Sequence, residues 1–139
     1  MAEVFSGFVI GFALSLAVTP VAAIALIRSN ERTGLAQRIA PPGTNVIALS
    51  VVLHFAAFLL LTAIGMILGM LLAGLNGRRP DGGLGSPNAA YTLIVVALTA
   101  VIVMPTLVVP AIRRWCVVSA MVFVLAFGWM MPWLARLGR

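Results

Sequence analysis

The chain has 139 residues, of which 63% are hydrophobic and 9% are charged, and the nine basic residues are all arginines. Soluble domains typically carry about 25% charged residues, so this composition excludes an ordinary water-exposed fold and indicates a membrane protein. The arginines form no basic stripe with interleaved aromatic residues, so the net charge of +6 favours anionic lipid headgroups as partners and argues against nucleic acid.

Long uncharged stretches alternate with short charged segments, and they give the positions of the expected helices. A helix needs roughly 20 apolar residues to cross about 30 Å of hydrocarbon. We therefore predict an all-α, polytopic integral membrane protein with four transmembrane helices in a small bundle and a single transmembrane domain over residues 1–139. The predicted helices cover about residues 4–27, 46–75, 89–109 and 112–134.

The first predicted helix carries the small residues Gly7, Gly11 and Ser15 at four-residue spacing. Such a stripe lets a second backbone approach closely, and close packing drives helix association in lipid. We expect Pro20 to bend this helix. The segment Met1–Glu3 is acidic rather than basic, so we expect the helix to be retained and not cleaved as a signal.

The second predicted helix carries a similar stripe of Gly65, Gly69 and Ala73. The two stripes favour tight packing of these helices with each other or with a partner copy. His54 precedes Gly65 by eleven residues, which leaves the two only about 20° apart around the helix. We therefore expect His54 to face protein rather than lipid.

His54 is the one residue among Asp, Glu, Lys, Arg and His that is expected in the membrane interior, and such residues are functional candidates by default. Two interpretations stay open. In the structural interpretation, His54 is a neutral imidazole bonded to a carbonyl or hydroxyl of a neighbouring helix. In the functional interpretation, it is a proton relay, a haem ligand or a quinone-binding group. No second histidine exists to ligate a haem within one chain, so we predict no cofactor and no metal.

Prolines define the third predicted helix and the turn after it. Pro105 is expected to kink the helix near Val101, and Pro110 to mark a tight turn. Without that turn Arg113 and Arg114 would lie in the middle of the membrane, at a cost of roughly 2.5 kcal/mol or more each. A helical hairpin brings both arginines to the surface.

Arginines on the side opposite the termini are the predicted contacts for anionic lipid headgroups: Arg28, Arg32, Arg38, Arg113 and Arg114. The other side holds four arginines, so the positive-inside rule gives only a small bias toward termini outside. We expect the plasma membrane of a prokaryote as the location.

No acid pair, nucleophile motif, phosphate-binding loop or metal-ligand cluster is found, so the sequence predicts no enzymatic activity. The leading hypothesis is a small non-catalytic subunit or scaffold that packs against other membrane proteins or copies of itself. One alternative is a homo-oligomeric channel or transporter for a small neutral or anionic solute, with His54 near its path. The other is a lipid- or quinone-binding membrane protein.

Overall fold

The computed structural model describes residues 1–33, 43, 45–76, 84–105 and 110–138. These residues form an all-α protein, as the sequence predicts. The elements are α1 (Ala2–Thr33), α2 (Val46–Asn76), α3 (Ala89–Val103), α4 (Pro110–Phe123), the π-helical segment π1 (Val124–Met130) and α5 (Met131–Leu137). The last three follow one another without a break and form a continuous C-terminal helical rod.

Three segments of the described chain are long and apolar enough to cross a bilayer: Ala2–Ile24, Val46–Asn76 and Arg113–Leu137. The fourth, α3, is equally apolar but has only 15 residues. At 1.5 Å per residue it is about 22 Å long, which is less than the roughly 30 Å of hydrocarbon. The protein is an integral membrane protein with three long apolar helices and a shorter one.

Two helix ends differ from the sequence prediction by about six residues, and the others differ by three or fewer. The helix α1 continues to Thr33, past the expected end at residue 27, because no glycine or proline interrupts the polar segment before Gly34. The helix α3 ends at Val103 and a 3₁₀ turn follows at Met104 and Pro105. Pro105 lacks the N–H that the next α-helical bond requires, so the α-helix ends where a kink was expected. Residues 106–109 lie outside the described chain.

The helices α1 and α2 pack antiparallel along their length. The C-terminal rod contacts α1 mainly through α5 and π1, and α3 packs mainly against π1. The apolar core therefore lies at one end of the bundle, which we call the terminal end because residue 1 and α5 lie there. The other end, with the end of α3 and the start of α4, is the opposite end. Core residues include Leu72, Tyr91, Val95, Phe127 and Met131.

A proline explains an unusual contact in the C-terminal rod. Pro132 has no N–H to donate to the carbonyl of Gly128, four residues earlier. The hydroxyl of Thr92 on α3 donates to that carbonyl at 2.7 Å. Membrane helices tolerate proline when a neighbouring helix supplies the missing donor in this way. The contact joins α3 to the rod near the core.

Candidate functional site

The small-residue stripes of α1 and α2 face each other within one chain. A Cβ atom added at Gly7 or at Gly65 would collide with the other glycine's backbone carbonyl. At Gly11 it would lie 2.5 Å from a carbonyl oxygen of α2, and at Gly69 2.6 Å from the Glu3 carbonyl oxygen. The two backbones are therefore in direct contact, and only glycine fits. We call these four glycines the glycine seam.

The other predicted stripe residues lie beside this seam. Ser15 is buried, and its hydroxyl donates to the Phe12 carbonyl of its own helix at 2.7 Å. Ala73 is half-buried. Thr62, next to Gly11, carries a buried hydroxyl for which the described residues offer no hydrogen-bond partner. The stripes thus join α1 to α2 within one chain.

His54 lines a cavity of about 190 Å³ between α1 and α2, on the side of the seam toward the opposite end. Ser15, Thr19 and Ser50 line the same cavity, and each hydroxyl donates to a carbonyl of its own helix. The imidazole is half-buried, and no hydrogen bond from it is seen within the described part of the chain. His54 therefore faces α1, with hydroxyl oxygens around a space large enough for a small solute.

The arginines of the opposite end are exposed where the structure describes them. Arg28, Arg113 and Arg114 project from the ends of α1 and α4. The backbone of Arg32 belongs to α1, while its side chain and all of Arg38 lie outside the described residues. The predicted headgroup contacts that can be located thus share one end of the bundle.

A buried polar cluster at the terminal end was not predicted from the sequence. Glu3 is only 6% exposed, and its carboxylate lies 3.4 Å from the N-terminal ammonium. Asn76 Nδ2 donates to Glu3 Oε1 at 3.5 Å, and Asn88 Nδ2 donates to Asn76 Oδ1 at 2.9 Å. This chain of contacts joins the start of α1, the end of α2 and the start of α3.

The same cluster fixes the start of α3. Asn88 Oδ1 accepts from the Tyr91 backbone N–H at 3.0 Å, which is an N-cap, and the Thr92 hydroxyl contacts Ser86 Oγ at 2.8 Å. An asparagine before an apolar run is a sequence signal for such a cap. The bond between Asn88 and Asn76 has no such signal, because it depends on tertiary packing. The arrangement fastens helix ends and carries no evident chemistry.

An aromatic surface covers the outer side of the α1–α2 hairpin. The rings of Phe8 and Phe12 stack with centroids 6.3 Å apart, Phe12 meets Phe58 edge-to-face at 5.7 Å, and Phe58 stacks with Phe55 at 6.3 Å. Phe5 lies one turn before Phe8 and is exposed. We call these five residues the aromatic face. The sequence contains its signal, since residues 5, 8 and 12 share a helix face.

The described residues contain no group of three or more His, Cys, Asp or Glu side chains placed to hold a metal ion. Comparison of the chain with protein-family models, with characterised proteins and with solved structures finds no significant match. The features of the chain that bear on function are the aromatic face, the His54 cavity and the charged helix ends.

Proposed function

We propose that the protein is a small non-catalytic membrane subunit or scaffold that binds another membrane protein through its aromatic face. The partner surface is an apolar transmembrane helix, because the aromatic face presents rings alone. The observation that carries this proposal is the continuous ring contact from Phe8 through Phe12 and Phe58 to Phe55.

The physical argument concerns what drives association inside a bilayer. Moving an apolar side chain from lipid to protein gains little, so binding depends on close packing and on a low cost of ordering. Aromatic side chains offer a large contact area with only two torsions each. Their neighbouring rings restrict those torsions further, and the glycine seam holds the two helices that carry them. A partner helix would thus meet a surface already in its bound shape.

The test is purification of the tagged chain from its native membrane in mild detergent. We expect one membrane protein to be retained in fixed stoichiometry with the wild-type chain. A double variant, Phe12→Ala with Phe58→Ala, should lose that protein about tenfold or more, as expected when buried aromatic anchors are removed.

The matched control is Leu60→Ala with Ile67→Ala, which shortens two exposed apolar side chains of α2 outside the aromatic face. The control should keep the partner. Equal recovery from the two double variants would contradict the proposal. If the purified protein were instead a uniform homodimer with no other protein bound, the aromatic face would bind a second copy of this chain.

The His54 cavity favours a second candidate, a homo-oligomeric channel or transporter for a small solute. Hydroxyl oxygens of Ser15, Thr19 and Ser50 line the space beside the imidazole, and polar groups inside a membrane often mark a solute path. Under this candidate, a defined oligomer in liposomes should show solute flux that His54→Ala abolishes. Unchanged flux in the variant would remove His54 from the path.

For orientation, we propose that the termini lie outside a prokaryotic plasma membrane. By sequence, five arginines belong to the opposite end and four to the terminal end, and the positive-inside rule gives the cytoplasm to the richer side. Attachment of a membrane-impermeant reagent to the N-terminal amine of intact cells tests this. If the amine were labelled only after the cells are broken, the termini would lie inside the cell.

A further inference from the structure

A wide groove lies between α2, α3 and α4 on the side of the core toward the opposite end. Its volume is about 730 Å³. The wall from α2 includes Leu68, the wall from α3 includes Leu98 and Ile102, and the wall from α4 includes Trp115 and Cys116. The groove exists because the C-terminal rod meets the α1–α2 hairpin mainly through π1 and α5, so α4 stands away from it.

The lining determines what chemistry the groove accepts. Nearly all of it is apolar, and its Thr99 hydroxyl is already bonded to the Val95 carbonyl at 2.7 Å. The volume falls within the roughly 300–1,000 Å³ of small-molecule pockets. An unfilled groove of this size would forfeit dispersion contacts along its walls. A flexible hydrocarbon chain fills such a space without leaving a polar group unpaired.

Charge at the mouth of the groove completes the argument. Arg113, Cys116 and Ala120 follow one another at helical spacing, and the last two line the groove. Side chains of a helix tilt toward its N-terminus, so Arg113 extends away from the hydrocarbon and toward the headgroups. Its guanidinium is exposed, and the described residues supply no ion pair to it.

We propose that this groove binds an acyl chain of an anionic phospholipid whose phosphate pairs with Arg113. A guanidinium presents its donors in a planar fork that matches phosphate oxygens. The groove and the arginine together recognise both parts of the lipid, the chain by shape and the headgroup by charge. This site is separate from the aromatic face and does not depend on the proposed subunit role.

Neighbouring residues provide matched controls. Arg114 carries the same charge one position later, but Val118 and Met121, which share its helix face, do not line this groove. Ser119 lines the groove, whereas Val118 is exposed outside it. Arg113→Gln and Arg114→Gln thus make the same charge change on different faces. Ser119→Trp fills the groove, and Val118→Trp adds the same ring elsewhere.

The experiment is native mass spectrometry of protein released from nanodiscs that contain equal amounts of phosphatidylglycerol and phosphatidylcholine. We expect the wild-type chain to retain one phosphatidylglycerol molecule. Arg113→Gln should lower its preference over phosphatidylcholine about fivefold, the effect of losing one interfacial charge contact, while Arg114→Gln leaves it unchanged. Ser119→Trp should reduce retention of both lipids, and Val118→Trp should not.

The sole cysteine gives a second measurement that needs no variant. Cys116 lines the groove, so a bound chain should slow its alkylation by N-ethylmaleimide in phosphatidylglycerol nanodiscs relative to phosphatidylcholine nanodiscs. If Ser119→Trp does not fold, the two alkylation rates of the wild-type chain still test whether a lipid chain occupies the groove. Equal alkylation rates, equal retention of the two lipids, or equal effects of the two arginine variants would each overturn the proposal.

Discussion

The two ends of the bundle are built on different principles. At the terminal end Tyr91, Phe127 and Met131 are fully buried, and the polar cluster ties helix ends together. At the opposite end large apolar side chains face outward: Ile102 is 71% exposed and Trp115 is 69% exposed. The chain therefore builds a fully buried core at the terminal end, whereas the described residues of the opposite end form no such core and leave their apolar side chains to lipid or protein.

The difference shows where this small chain obtains its stability. Removal of apolar surface from lipid contributes little, so the terminal end relies on backbone contact and hydrogen bonds. The glycine seam and the bonds among Asn76, Asn88 and Tyr91 supply these. The opposite end lacks a comparable cluster among the described residues, yet it carries the groove and the His54 cavity. The groove and the His54 cavity thus lie at a different depth from the polar cluster, while the aromatic face lies beside the glycine seam.

The largest expected effect comes from the glycine seam. In Gly65→Ala the added methyl group would clash with main-chain atoms of Gly7. No side-chain rotation can relieve this clash, because the atoms belong to the backbone. The helices α1 and α2 must separate, and we expect a loss of about 3 kcal/mol in the free energy of unfolding, at the upper end for overpacking. Unfolding in detergent micelles, followed by tryptophan fluorescence, measures it.

Gly74 is the control for this prediction because an added Cβ there has no atom within 4 Å outside its own helix. Replacement of glycine by alanine within a helix stabilises it by up to about 1 kcal/mol. Gly74→Ala should therefore raise stability while Gly65→Ala lowers it. The same sign for both substitutions would mean that the seam does not hold the terminal end together.

An intermediate effect is expected for the asparagine caps at the two ends. Asn88 caps α3 and is 1% exposed, whereas Asn45 makes a similar bond to the Ile47 N–H at 2.9 Å in an exposed position. We expect Asn88→Ala to cost about 2 kcal/mol, because Asn76 Oδ1 also loses the donor from Asn88, and Asn45→Ala to cost about 0.5 kcal/mol. Chemical denaturation in micelles compares them. If both substitutions lowered the free energy of unfolding equally, the buried cap at the terminal end would contribute no more than the exposed cap at the opposite end.

The sequence predicts the long apolar helices well because each is a property of contiguous residues. The predicted range 46–75 matches α2 to within about a residue at each end, and the stripe of Gly65 and Gly69 identifies the face that meets α1. The direction of His54 follows from the same helical spacing. These features need no knowledge of which helices are neighbours, beyond the fact that small residues favour close approach.

Other features depend on tertiary contacts that spacing does not reveal. The burial of Glu3 depends on the ends of α2 and α3 meeting the start of α1. The groove depends on the angle at which α4 leaves the hairpin. The α-helical part of α3 ends at Val103, two residues before Pro105, where the sequence predicted a kink near Val101. The aromatic face had a sequence signal, but its rings meet across two helices.

The smallest expected effect tests the contact between α3 and the C-terminal rod. Thr92→Val removes the hydroxyl that donates to the Gly128 carbonyl at 2.7 Å, and Pro132 cannot replace that donor. Interhelical hydrogen bonds in membranes average about 0.6 kcal/mol and reach about 1.7 kcal/mol. We expect a loss of about 1 kcal/mol in the free energy of unfolding.

Thr99→Val is the matched control for Thr92→Val, because the Thr99 hydroxyl bonds only its own helix, at the Val95 carbonyl. It should change stability by less than about 0.3 kcal/mol. If both variants lost the same amount, the threonines would act only within α3. The terminal end would then owe its closure to the seam and the Asn88 cap alone.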